Sequence, residues 1–196
     1  MAVSSLLLPD PNVSVPPPIC FRNAATFSPA SGTDRRPGLG SFPGVNSQLN
    51  LTSLATAAAR QSEKIDLGAL RAAYSVDCVF EFAATPTAGL VVVLYWNDSP
   101  DSDAGDGNLG GCSGADASYT GYSANLDASL KQLSFIGNFI CTAQATPTKQ
   151  IGSVPSILVP RQRYGSLVVY NNSGASFHSA VVSTHVVFTP LFWQNQ

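Results

Sequence analysis

The segment AYSVDCVFEF, residues 73–82, decides the fold class. Tyr74, Val76, Cys78, Phe80 and Phe82 fall on one face, and Ser75, Asp77, Val79 and Glu81 on the other. A period of two is the pattern of a half-buried antiparallel strand. The turn ATPT (84–87) and Gly89 lead into LVVVLYW (90–96), which is apolar on both faces, as a central strand is. The same logic recurs in LSFIGNFICTA (133–143), a second ATPT (145–148) and KQIGSVPSILV (149–159). GSLVVY (165–170) and SAVVSTHVVF (179–188) add two strands, and Glu63 to Leu67 suits an edge strand. LDASLKQL (126–133) suits a short helix, and LTSLATAAAR (51–60) a further helical turn. The expected fold is all-β, an antiparallel β-sandwich or jelly roll of seven or eight strands.

Working back toward the N-terminus, the pattern is lost. PDPNVSVPPP (9–18) places prolines at 9, 11, 16, 17 and 18, which favours extended backbone. SPASGTDRRPGLGSFPG (28–44) continues in Gly, Pro and Ser. Residues 1–59 are therefore expected to form an extended arm, and 60–196 the sandwich. Ordering such an arm costs about 1–2 kcal/mol per residue in backbone entropy, to be recovered by burial. Leu6, Leu7, Leu8, Ile19, Phe21, Phe27 and Phe42, with Arg35 and Arg36, are spaced as anchors on a neighbouring subunit. On that reading, removal of residues 1–45 leaves the sandwich folded.

Charge is scarce. Only 11% of residues are charged, against about 25% in ordinary soluble domains, so the surface is poorly protected from association. A net charge of −2 without a basic block argues against nucleic-acid binding. No apolar run is long enough for a membrane helix, and MAVSSLLLPDP lacks a basic leader region, so cytoplasmic synthesis without export is expected. Cys20, Cys78, Cys112 and Cys141 show no CxxC spacing, which argues against zinc. Cys78 and Cys141 read as buried thiols, with one disulfide left open should the chain mature outside the cell.

Residues able to carry chemistry are few. Asp98, Asp101, Asp103 and Asp106 crowd into NDSPDSDAGDGNLGG (97–111). Alternating carboxylates suit Ca2+, and Asp101, Asp103 and Asp106 are the candidate ligands. The EF-hand register fails, however, because Gly105 takes a ligand position, so a solvated acidic rim is the simpler reading. His178 and His185 have no carboxylate after Asp127 to pair with in sequence, and no nucleophile or phosphate-loop motif is present. The expectation is a protein without catalytic residues or cofactor. Tyr119 and Tyr122, in the polar loop GADASYTGYSANLD (114–127), are the rings placed to stack on a sugar.

QSEKIDLGALR (61–71), EFAATPTAGLVVVLYW (81–96), GGCSGADASYTGYSANLDASLKQLSFIG (110–137), RYGSLVVYNNSGASFHSA (163–180) and HVVFTPL (185–191) together resemble small virion structural proteins of tailed bacteriophages. The resemblance covers residues 60–191 and implies no activity and no site residues. It implies a virion component, most simply a capsid decoration or cement protein on the capsid surface. Such a protein clamps neighbouring major capsid protein subunits and commonly self-associates as a homotrimer. A neck, tail or head-fibre component, or a carbohydrate-binding β-sandwich on the virion surface, are the alternatives.

Overall fold

Two β-sheets face each other across one aromatic core. The computed structural model describes residues 4–7, 17–23, 44–68, 73–144, 148–179 and 184–195, and at 4–7, 148 and 192–195 the backbone alone. Among them run twelve strands: β1 Ser4–Leu7, β2 Ile19–Arg22, β3 Val45–Gln48, β4 Ala58–Gln61, β5 Ile65–Asp66, β6 Ala73–Phe82, β7 Val91–Ser99, β8 Ala117–Tyr119, β9 Ser134–Ile140, β10 Thr148–Leu158, β11 Tyr164–Asn172 and β12 His185–Asn195. The first sheet has the order β10-β6-β12-β2-β3, with β1 also on β12. The second runs β8-β4-β11-β7-β9, with β5 on β11. Every pairing is antiparallel except β2 with β3. The fold is a β-sandwich.

The alternation in β6 works as its spacing requires. Tyr74, Val76, Cys78, Phe80 and Phe82 all enter the core. They meet Val92, Leu94 and Trp96 of β7, Leu167 and Val169 of β11, and Val186 and Phe188 of β12. Trp96 and Phe188 lie 5.6 Å apart between ring centroids and tie the two sheets together. Gly165 is obligatory beside this contact, because a Cβ there would meet the Trp96 ring and the Asn97 carbonyl oxygen. The outer face of β7 is covered as well. Ala59, Cys112, Tyr119, Leu130, Leu133 and Val168 form a second, smaller core on the back of the second sheet, with Tyr95 packed against it. That lid explains why β7 is apolar on both faces. All four cysteines are buried and none is joined in a disulfide, and burial pushes Cys112 up to about 12 and Cys141 up to about 11.

The N-terminal segment departs from expectation. Ile19 and Phe21 are buried in this chain's own core, where Phe21 lies 4.8 Å from Phe188 and 6.3 Å from Trp96. They are not anchors on a neighbour. Four-residue β2 gains its partners from far along the chain, pairing with β12 on one side and β3 on the other. Leu6 and Leu7 lie in β1, whose backbone pairs with β12 at Trp193 and Phe192. Leu8, Phe27, Arg35, Arg36 and Phe42 lie outside the described residues. The expected arm boundary at residue 59 falls inside β4.

Two local expectations also resolve. A helix forms at Leu126–Leu130 (α1), where the Asn125 side chain caps the Ala128 N–H at 3.2 Å. Residues 51–60 are not helical. Asn50 Oδ1 accepts the Thr52 N–H at 3.0 Å, Ser53 and Ala57 take positive φ, and β4 follows. Local side-chain hydrogen bonding of this kind competes with helix.

Asp116 fastens this region. Its carboxylate accepts from Arg60 Nε at 2.6 Å, Gln48 Nε2 at 3.1 Å and the Asn50 N–H at 3.1 Å. Burial alone would raise its pKa, but hydrogen bonds from Arg60, Asn50 and Gln48 outweigh it and hold the group below 3.8. The unfolded carboxyl titrates higher than the folded one. Its contribution is therefore complete above the unfolded value and drains away as pH falls through the folded value. Asp116→Asn should cost about 2 kcal/mol at neutral pH, less than the 3–5 of a fully buried broken pair. Urea melts at pH 7 and pH 3 should show the difference shrinking toward the acid end.

Candidate interaction surface

Strands β9 and β10 are the edges of their respective sheets and lie on the same side of the sandwich. Nine large hydrophobic side chains are exposed among the described residues, and five sit here: Phe135, Ile140, Ile151, Ile157 and Val159. Phe135 is 57% exposed, Ile140 67% and Val159 66%. Leu90, also exposed, adjoins them through the hydrogen bond from the Cys141 N–H to its carbonyl, 2.8 Å. Scattered exposed apolar residues need no explanation, but concentration along one edge marks an interaction site.

The two strands are brought close by a small residue and a clamp. Gly137 of β9 abuts Val154 and Ser156 of β10 so tightly that a Cβ would collide with the Val154 side chain. Gln150 then bridges the sheets like a strand partner: its Oε1 accepts the Thr142 N–H at 2.9 Å and its Nε2 donates to the Thr142 carbonyl at 2.7 Å. Between the strands runs a groove of about 500 Å3 lined by Asn138, Ile140, Thr142, Lys149, Ile151 and Ser153 among others. Lys149 is its one formal charge, and lies 3.7 Å from Glu81. β10 is defended as edge strands usually are, by Pro155, by a register shift between Val154 and Ile157, and by Lys149. β9, with the sequence SFIGNFI, has neither charge nor proline, and its one irregularity is a register shift against β7 at Ile136. It is the less defended of the two edges.

The residues singled out from sequence lie elsewhere. Tyr119 is buried and its hydroxyl donates to the Gly110 carbonyl at 2.6 Å, so it cannot stack on a sugar. Tyr122 is 72% exposed, on the short 3-10 turn Tyr122–Ala124. Asp98 is not part of a solvated rim but is buried. Asp101, Asp103 and Asp106 are exposed, and it is their main-chain carbonyls that converge, on the Lys64 ammonium. Burial keeps the Lys64 pKa below its ordinary value, against the pull of Asp101, Asp106 and Asp103. The exposed carboxylates of Asp101, Asp103 and Asp106 fit the solvated rim, the simpler of the two readings of this loop. No group of three or more His, Cys, Asp or Glu suited to a metal occurs among the described residues.

The exposed apolar edge has no signature of its own in the sequence. In LSFIGNFICTA the apolar residues occupy both faces, the same signature as central strand β7, and only strand order separates the two cases. No described helix is long and apolar enough to cross a membrane. No protein-family model, curated protein or solved structure matches the chain.

Proposed function

We propose that this protein is a structural component of a viral particle, a capsid decoration protein that docks on neighbouring shell subunits through its β9–β10 edge. The observation that carries the proposal is the nearly charge-free apolar edge, with β9 left open to a further strand or an apolar ridge. A partner strand laid there would gain main-chain hydrogen bonds, with Phe135 and Ile140 supplying apolar contacts. The order of strands supports the same reading. Setting aside β1, β3, β5 and β8, eight strands remain, as β10-β6-β12-β2 and β4-β11-β7-β9. Counted along the chain, the sheets pair first with eighth, eighth with third and third with sixth, and second with seventh, seventh with fourth and fourth with fifth. That is jelly-roll order, an architecture used in viral shells and also in lectins and cupins, so its support is by analogy of fold.

The test is incorporation. The protein should be found on purified particles in hundreds of copies, rather than the handful expected of a neck or tail component. Phe135→Asp combined with Ile140→Asp should leave the fold intact at the cost of the Phe135–Tyr95 ring contact, since both side chains are more than half exposed, yet weaken docking at least about a hundredfold. Uptake of the doubly substituted protein at the wild-type level would show that the edge is not the docking surface. Absence of the wild-type protein from particles would end the whole reading.

A further inference from the structure

The loop after β7 holds a cation, and the cation is part of the chain. Lys64 Nζ donates to Ser99 Oγ at 2.9 Å, to the Asp103 carbonyl at 2.6 Å and to the Asp106 carbonyl at 2.7 Å, with the Asp101 carbonyl at 3.2 Å. Four oxygens thus surround one ammonium that has only three N–H bonds to give. Three of the four are main-chain oxygens, drawn from a stretch of six residues. Ser99 Oγ is itself directed at the Asp106 carbonyl, 3.1 Å, and receives the Asp101 N–H at 3.3 Å, which closes the ring. Asp101 Oδ1 is turned back into the loop, where it accepts the Asp103 N–H at 2.9 Å.

Convergent carbonyl and hydroxyl oxygens from one short loop are how proteins hold hard cations, with carboxylates supplying further charge. We infer that Ser99–Asp106 is a cation-binding loop whose occupant is the Lys64 ammonium, and that removing this ammonium opens the site to Ca2+. The tethered charge does the work that a metal ion does in loops of this composition. Ca2+ binds oxygen at about 2.3–2.6 Å, so the ring would have to tighten by only a few tenths of an ångström. Three aspartates would surround the vacated centre with no neutralising partner inside the ring, so the field there favours a divalent ion. The ligand set becomes one hydroxyl, three carbonyls and whichever carboxylates turn inward, completed by water.

The experiment compares the full-length wild type with Lys64→Ala and Lys64→Met. Wild type should melt at the same temperature in EDTA and in millimolar Ca2+, and calorimetry should detect no saturable binding. Lys64→Ala should melt several degrees lower in EDTA, recover most of that loss in Ca2+, and bind one ion with a dissociation constant of about 10⁻⁴–10⁻³ M. Lys64→Met, which fills the space without charge, should melt lower and gain less from Ca2+. Lys64→Ala that ignores Ca2+ would overturn the inference, and so would wild-type protein that binds Ca2+ at this loop. Should Lys64→Ala fail to fold, a Lys64→Met protein that gains nothing from Ca2+ overturns the metal half of the inference, and the wild type decides the other. The Lys64 ammonium should give a protected, slowly exchanging NMR signal that persists in Ca2+, and a rapidly exchanging or displaced signal would refute its residence.

Discussion

Phe21→Ala should destabilise the isolated protein by about 3–5 kcal/mol, the cost of deleting a buried aromatic ring and leaving its cavity. Phe21 is fully buried, set edge-on against Trp96 and Phe188, and so belongs to the contact that joins the sheets. Total stabilities run at about 5–15 kcal/mol, so the loss is a large share of the whole. A fall in melting temperature of about 10 °C or more is expected, measurable by calorimetry on the purified protein. The alternative predicted from composition, that Phe21 grips a neighbouring subunit, makes the opposite forecast. A Phe21→Ala protein with unchanged melting but impaired assembly would restore the strap and refute the packing described above. For the same reason, deletion of residues 1–45 should unfold the sandwich rather than trim an appendage.

Asp98→Ala should cost about 3–4 kcal/mol. Asp98 Oδ1 accepts Trp96 Nε1 at 3.2 Å and the Arg161 N–H at 2.8 Å, and Oδ2 accepts the Ser134 hydroxyl at 3.1 Å. The carboxylate therefore joins β7, the start of β9 and the loop between β10 and β11. Removing it strands the buried Trp96 N–H and breaks the half-buried bonds from Arg161 and Ser134, at about 1–3 kcal/mol for each donor that water cannot reach. Asp98→Asn keeps the shape and one acceptor, and the Ser134 hydroxyl can rotate to accept from the new amide. It should lose only about 1 kcal/mol. Urea denaturation of the two variants side by side checks the pair, and equal losses would mean that charge, not the hydrogen-bond geometry, matters at this position.

Much of the sandwich was legible because its long strands carry their own pattern. β6 shows which face is inside with no help from its neighbours, and β7 shows that both of its faces are covered. What sequence could not show is what covers them. Behind β7 lies the lid of Cys112, Tyr119, Leu130 and Leu133, whose residues read as loop or short helix with no visible partner until a sheet is placed beneath them. β2 was illegible for a related reason. Four residues, ICFR, follow three prolines and have no local reason to be strand; their partners are β12 and β3. The candidate site was hidden twice over. Phe135 and Ile140 read as interior residues because an edge strand and a central strand can share one sequence signature. Lys64 gave no signal, because the oxygens around it are mostly main-chain atoms that every residue possesses.

The clasp between β2 and β12 also sets a timetable. Ile19 is registered with Phe188, and Arg22 with His185. While the chain is being synthesised, β2 emerges from the ribosome long before β12 exists to receive it. Closing so long a loop is slow, as in other β topologies dominated by distant pairings. Until then Phe21 and the apolar strands β6 and β7 remain open to other chains, so the nascent protein passes through an adhesive interval before it acquires a core. A chaperone that shields this interval should raise the yield of folded protein more than slower synthesis does.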